Sequence, residues 1–413
     1  MPTDIPVRFD AEHRRQIAGG EPVIFHCHHY NTFLQRSILD AEAIDSRPVL
    51  IGAGAEVAHA QLTELFAELG LKEAESRKAA AQDVYRWAGF GTVDLGPLGP
   101  EGGTTSTPNS HYGMGWRIKF GPSATPVDYF TTGWLAGALS AVYDLPLGHF
   151  ASRQTTCVSI EGQDVSTFEL TAGESNYPVY QSPGVGELTT HAVRPTLPTP
   201  VDYDGILQAV GGLPLTGDAQ GHIHAFGVYL TRHYANYYNR VSFELLRGLT
   251  AQFGDEGRQI AEPLLIEAGR VCAFNTFGGI MLSTEWDALI RPTLKTKEDW
   301  VHGIVAVVNA FGWGRWQVTK LSADEAEFVI HDDYESVGYR AMYGEASHPV
   351  SYLAQGGVVG VMNLIYVGDI AARPTLDEAF YARVFTQANV YQATPLTSQA
   401  TGDAVTSFRV ARG

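Results

Sequence analysis

Apolar residues recur at helical spacing in the first part of the chain and at alternating spacing later. Over 56–69, Val57, Leu62, Leu65, Phe66 and Leu69 mark one helical face, and Gly70 supplies a C-terminal stop. The Ala- and charge-rich stretch 73–87 predicts a further helix, and segments 29–44 and 231–249 predict the opening helices of two similar units. The period then shortens. Segments 91–95, 116–120, 155–160, 166–172, 315–321, 327–331 and 406–410 read as strands. One helix interrupts each strand series, at 131–143 and at 354–366; both are apolar almost all round and must be buried against a sheet. Helices first and antiparallel strands later predict an α+β fold.

The same pattern occurs twice because the sequence does. At an offset of 223, Gly115, Arg117, Gly121, Pro126, Val127, Tyr129, Gly133 and Gly137 meet Gly338, Arg340, Gly344, Pro349, Val350, Tyr352, Gly356 and Gly360. Gly89-Phe90-Gly91 meets Gly312-Trp313-Gly314 at that offset as well. Weaker echoes flank this block: His29, Tyr30 and Arg36 match His233, Tyr234 and Arg240. The chain is read as two duplicated domains, 1–181 and 201–413, joined by a Pro/Gly/Thr-rich linker, 182–200. Such a chain is expected to fold as a pseudo-twofold internal dimer.

Composition narrows the partners. The 413 residues carry a formal charge of -17 and no basic tract, which argues against nucleic acid or an anionic membrane as partner. Three cysteines, Cys27, Cys157 and Cys272, make no disulfide framework and suit a reducing compartment. No apolar leader opens the sequence and no run of 18 apolar residues occurs, so a soluble, cytoplasmic protein is expected, with a homo-oligomer allowed. Dinucleotide and triphosphate fingerprints are absent, and no nucleotide cofactor is expected.

The order of motifs in the first copy is Gly89-Phe90-Gly91, the buried helix with Gly133 and Gly137, then Cys157, Gly162, Asp164 and Phe168. This resembles the 4-vinyl reductase (hydrocarbon-binding) domain family, related in fold to TRAPP vesicle-tether subunits and haem-NO-binding domains. The resemblance covers about 110 residues of each copy and implies a domain that encloses a hydrocarbon-like ligand. Some members hold a structural zinc through Cys and Glu at the closing hairpin. Here Gln154 stands where that Glu falls, the second Cys is replaced near 165–166, and the second copy has Thr394, Thr397 and Thr406, so that zinc is not expected. No helix-turn-helix or ATPase segment follows either copy.

The densest chemistry lies in Phe25-His26-Cys27-His28-His29-Tyr30-Asn31. In an extended segment His26 and His28 project to one face, and Cys27 and His29 to the other. Two imidazoles two residues apart can share an Fe or Zn ion with ligands from elsewhere. The alternatives are metal-free work, with His29 and Cys27 as acid–base or nucleophile and Arg36 gripping an anion, or polar side chains at a helix entry. The repeated His, Tyr and Arg positions are expected to pack across the twofold interface, and Arg117 and Arg340 to anchor a crossover. Cys157 and Cys272 read as small buried hydrophobes. His111-Tyr112, in the long loop 100–115, is a candidate lid, and His331-Asp332-Asp333 a solvated strand end.

The resulting expectation is a small-molecule-metabolising protein with a buried apolar or aromatic pocket, leaning toward an enzyme that uses the His/Cys cluster of the first copy. The alternative is a non-catalytic carrier or sensor of hydrocarbon or aromatic ligands.

Overall fold

The computed structural model describes residues 3–188 and 197–413, and the fold is α+β with antiparallel sheets. The central sheet has five strands in the order Arg8–Asp10, Arg15–Ala18, Glu21–Cys27, Val228–Tyr234 and Ile223–Ala225. Its middle joins the two halves of the chain, with Val23 opposite Tyr234, Phe25 opposite Arg232 and Cys27 opposite Leu230. Glu21–Cys27 is buried along its whole length, which is why its sequence shows no alternation. Each middle strand runs directly into a helix, His28–Asp40 in one half and Ala235–Phe253 in the other.

The Gly-x-Gly turns hold this centre from both sides. Gly89 and Gly91 adopt φ of +87° and +108°, Gly312 and Gly314 φ of +87° and +107°, a region that favours glycine. The residue ahead of each turn accepts a hydrogen bond from the opposite half's central strand: Phe25 N–H to the Phe311 carbonyl (3.1 Å) and Arg232 N–H to the Ala88 carbonyl (2.8 Å).

Behind the sheet, each half buries a helix pair in close backbone contact. Arg47–Glu68 packs on Tyr129–Val142, and Asp255–Cys272 on Tyr352–Met362. A Cβ on Gly54 would lie 2.7 Å from the Phe130 carbonyl oxygen, and one on Gly269 2.6 Å from that of Leu353, 223 residues later. Side chains on Gly133 and Gly356 would collide with the Ile51 and Ile266 carbonyls. The Gly-x-x-x-Gly spacing thus serves close helix contact inside the core. Among the described residues no helix is long and apolar enough to cross a membrane. Each half ends in a smaller antiparallel sheet: Gly102–Thr107, Ser166–Ala172 and Phe150–Thr156 in order, and Tyr391–Thr397, Thr406–Arg412, Glu325–His331 and Arg315–Leu321 in order.

Several local expectations are corrected. Segment 116–120 belongs to the helix His111–Phe120; Gly113 and Gly115 hid its period, and Gly115 is there because the helix presses on His28 and Thr32. Segment 91–95 is irregular, and a strand at Gly102–Thr107 takes the place expected of it. His233 and Tyr234 close a strand rather than lie on a helix, since the β-branched and aromatic run Val228–Tyr234 pairs with Glu21–Cys27 before the helix starts. The helix Tyr203–Gly211 was not foreseen. Of the expected linker 182–200, residues 189–196 lie outside the described residues; on either side of them, Ser182 bonds Glu21 and Leu197 N–H bonds the Val318 carbonyl (3.2 Å).

Candidate ligand-binding site

Directly opposed residues of an antiparallel pair share a face, so the central strands present two different surfaces. One carries His26 opposite Thr231 and Ile24 opposite His233; the other carries Phe25 opposite Arg232.

The first face is closed. His26 is fully buried, stacked on Trp313 (ring centroids 4.4 Å) and packed on Tyr30 (4.3 Å) and the edge of Tyr238 (4.8 Å). Its Nδ1 lies 3.6 Å from Cys272 Sγ, its Nε2 has no hydrogen-bond partner among the described residues, and burial drives its pKa well below the ordinary value. His233 takes the equivalent place before the second helix, one residue ahead of the Tyr234 N-cap as His26 is one ahead of Cys27. The structural counterpart of His233 is therefore His26, not His29. Nδ1 of His233 accepts from Tyr234 N–H (2.9 Å), which leaves Nε2–H to donate to the Tyr112 hydroxyl (3.0 Å). Asn31 joins His111 Nε2 (2.9 Å), Thr231 Oγ1 (3.0 Å) and the Tyr238 hydroxyl (2.6 Å). The void beside Asn31, Tyr112 and Tyr237 has no room for a water molecule.

The remaining residues singled out from the sequence scatter around this core. Cys27 Sγ meets Thr276 Oγ1 at 2.9 Å, and burial raises its thiol pKa, which keeps it protonated. His28 and His29 stack on each other (3.9 Å) beside Tyr229, whose N–H reaches His28 Nδ1 (3.3 Å). Burial lowers His28 to about 4 and His29 to about 2, the second helped by the neighbouring His28 and Lys119. Arg36 is 45% exposed, over the Phe120 ring and 3.4 Å from Asp40. His26 and His28 thus have separate surroundings, and among the described residues no three His, Cys, Asp or Glu side chains group as metal ligands.

Arg36 and Arg240, paired in the sequence, part company. Arg240 is buried and forks onto Glu56 of the other half (2.9 and 2.8 Å). Arg117 and Arg340 bond the Val158 and Gln399 carbonyls, as crossover anchors would. His111 and Tyr112 are buried at a helix start, not on a lid, and His331, Asp332 and Asp333 are buried rather than solvated, with Asp333 capping Tyr334–Tyr343.

The second face is open. A pocket of about 450 Å³ lies against Phe25, Gln16 and Arg232, is walled by Trp87, and is roofed by Leu207 and Val210 of the helix Tyr203–Gly211. Val7 and Phe9, both exposed apolar residues, also line it. Leu215, which follows that helix, is fixed by the Gly217 N–H bond to the Trp87 carbonyl (3.1 Å) and by Arg232 itself. Arg232 lies over Phe25 (4.6 Å) and Trp87 (4.9 Å). The sequence carried one signal of it: in Val228–Tyr234 the alternation places Val228, Leu230, Arg232 and Tyr234 on one face, so a cation occupies an apolar position.

No family model and no curated protein matches the chain. Ten solved chains match; one is the phenol-responsive sensory domain of the transcription activator PoxR with phenol, at 14% identity and a TM-score of 0.38, covering 51% of this chain and 89% of that one.

Proposed function

We propose that this protein binds a small, largely apolar or aromatic molecule in the pocket on the open face of the central sheet, and acts as a carrier or sensor of it. The observation that carries this reading is the pocket itself, about 450 Å³ walled mainly by Phe25, Trp87, Leu207, Val210 and Leu215. Pockets of roughly 300–1,000 Å³ with apolar walls and few polar groups are the usual form of small-molecule sites. The quoted 4-vinyl reductase motifs resemble those of a hydrocarbon-binding family, which points the same way. We also take residues 1–181 and 201–413 as two copies of one domain, so that the pocket lies where their central strands meet. In this reading the His/Cys cluster belongs to the packing of the closed face, where burial holds its imidazoles and thiols uncharged.

The test uses N-phenyl-1-naphthylamine, a neutral probe that fluoresces in apolar sites. Saturable binding to the wild type is expected, with loss of at least about tenfold in affinity for Leu207→Trp, which fills the pocket, and an unchanged melting temperature. A wild-type protein that shows no saturable binding sinks the reading.

A further inference from the structure

Resting on that pocket, we infer that its natural ligand is a monocarboxylic acid with an apolar or aromatic body, whose carboxylate is gripped by Arg232. The argument starts from what Arg232 lacks. Among the described residues no carboxylate stands within ion-pairing range of it, and its hydrogen bonds go to neutral oxygens: Leu215 carbonyl from Nε (3.3 Å) and Nη2 (3.1 Å), and Gln16 Oε1 from Nη1 (2.6 Å). The contrast with the other largely buried arginines is direct. Arg240 is forked onto Glu56, and Arg15 lies in the field of Asp332 and Asp333. In a chain with 45 acidic residues against 28 Lys and Arg, a sheltered cation without an acid is conspicuous.

The aromatic faces of Phe25 and Trp87 attract the guanidinium without neutralising it. Three of its five N–H groups are used, which leaves one on each terminal nitrogen, the pair that a carboxylate meets in a bidentate fork. Burial lowers its pKa only to about 10, so it remains charged at neutral pH. Among the described residues no other Lys, Arg or His lines the pocket, so one negative charge is matched and a phosphate dianion is not. The opposed position on the partner strand is Phe25, which keeps the rest of the floor apolar. Together these define an amphipathic anion: a charged head at Arg232 and an apolar body under Leu207 and Val210.

The experiment measures displacement of N-phenyl-1-naphthylamine by 2-naphthylacetate and by its neutral amide, in wild type, Arg232→Met and Arg232→Gln, with folding checked by melting temperature. The acid is expected to compete about tenfold or more better than the amide in wild type, a preference that disappears in both variants while the neutral probe still binds. Equal competition by acid and amide in the wild type, or a preference that survives in a folded Arg232 variant, overturns the inference and leaves the apolar pocket standing. Failure of the wild type to bind probe, acid and amide alike overturns both. Because the wild-type comparison needs no variant, an Arg232 variant that does not fold leaves the decision intact.

Discussion

The two faces of one strand pair dispose of polar groups in opposite ways. On the closed face the His26 and His233 rings pack on Tyr238, Asn31 bonds Tyr238 and His233 bonds Tyr112, and the void beside Asn31 and Tyr112 has no room for water. On the open face a single guanidinium lies between two rings beside a 450 Å³ pocket and has no acid partner among the described residues. Burial strips the charge from the imidazoles of the closed face, whereas the open face keeps one.

The comparison is sharpest between two largely buried arginines of the second half, Arg240 and Arg232. Arg240→Met leaves the fully buried Glu56 carboxylate without its fork, and breaking such a pair from one side costs about 3–5 kcal/mol. Arg232→Met removes a charge that has no counter-ion and keeps an apolar stem between Phe25 and Trp87; its cost is expected below about 1 kcal/mol. Urea denaturation of both variants tests this. Similar losses would mean that Arg232 is a structural tie between Leu215 and Gln16, not a ligand group.

The closed face is broken through His26. His26→Ala removes a ring packed on Trp313, Tyr30 and Tyr238, and the cavity left costs about 2–4 kcal/mol. Affinity for the neutral probe should not change, because His26 and the pocket lie on opposite faces. A variant of native stability that loses ligand binding or turnover would restore the His cluster as a working site.

What could be read in the sequence follows the same division. The α+β class, the buried glycine-bearing helices and the strands 166–172, 315–321 and 406–410 (the last extending to Arg412) were legible, because each rests on a local period. The helix His111–Phe120 and the strand ending at Tyr234 were not, since glycines diluted one period and the strand runs straight into the helix Ala235–Phe253, whose period was extended back over it. His26, Cys27, His28 and His29 stood out by residue type, but their burial depends on Trp313, Thr276 and Tyr229, all more than 200 positions away. Arg232 was visible only as a break in alternation, which gains meaning once Phe25, Trp87 and the helix Tyr203–Gly211 are seen around it.

A second buried charge on the same sheet sharpens the contrast by taking the other way out. Glu21, at the start of the strand that carries Phe25, accepts from Asn236 Nδ2 (2.9 Å) and Ser182 Oγ, and among the described residues has no cation beside it. Burial raises its pKa from 4.5 to about 7, a solution open to a carboxyl group and closed to a guanidinium that stays charged near neutrality. The folded state then holds a proton between pH 4.5 and 7 that the unfolded chain has released. The contribution of Glu21 is complete below pH 4.5 and is lost as pH rises through 7, by about 3 kcal/mol. His28 acts in reverse: lowered to about 4, it favours the fold above pH 6.5 and withdraws that support as pH falls toward 4. The two slopes oppose each other in the wild type, so the Glu21 effect emerges by difference. Glu21→Gln does not titrate, and its stability relative to wild type should improve steadily from pH 5 to pH 8 in urea denaturation. A difference independent of pH would show that Glu21 is ionised in the folded protein, and would point to a cation drawn to it that Arg232 has no counterpart for.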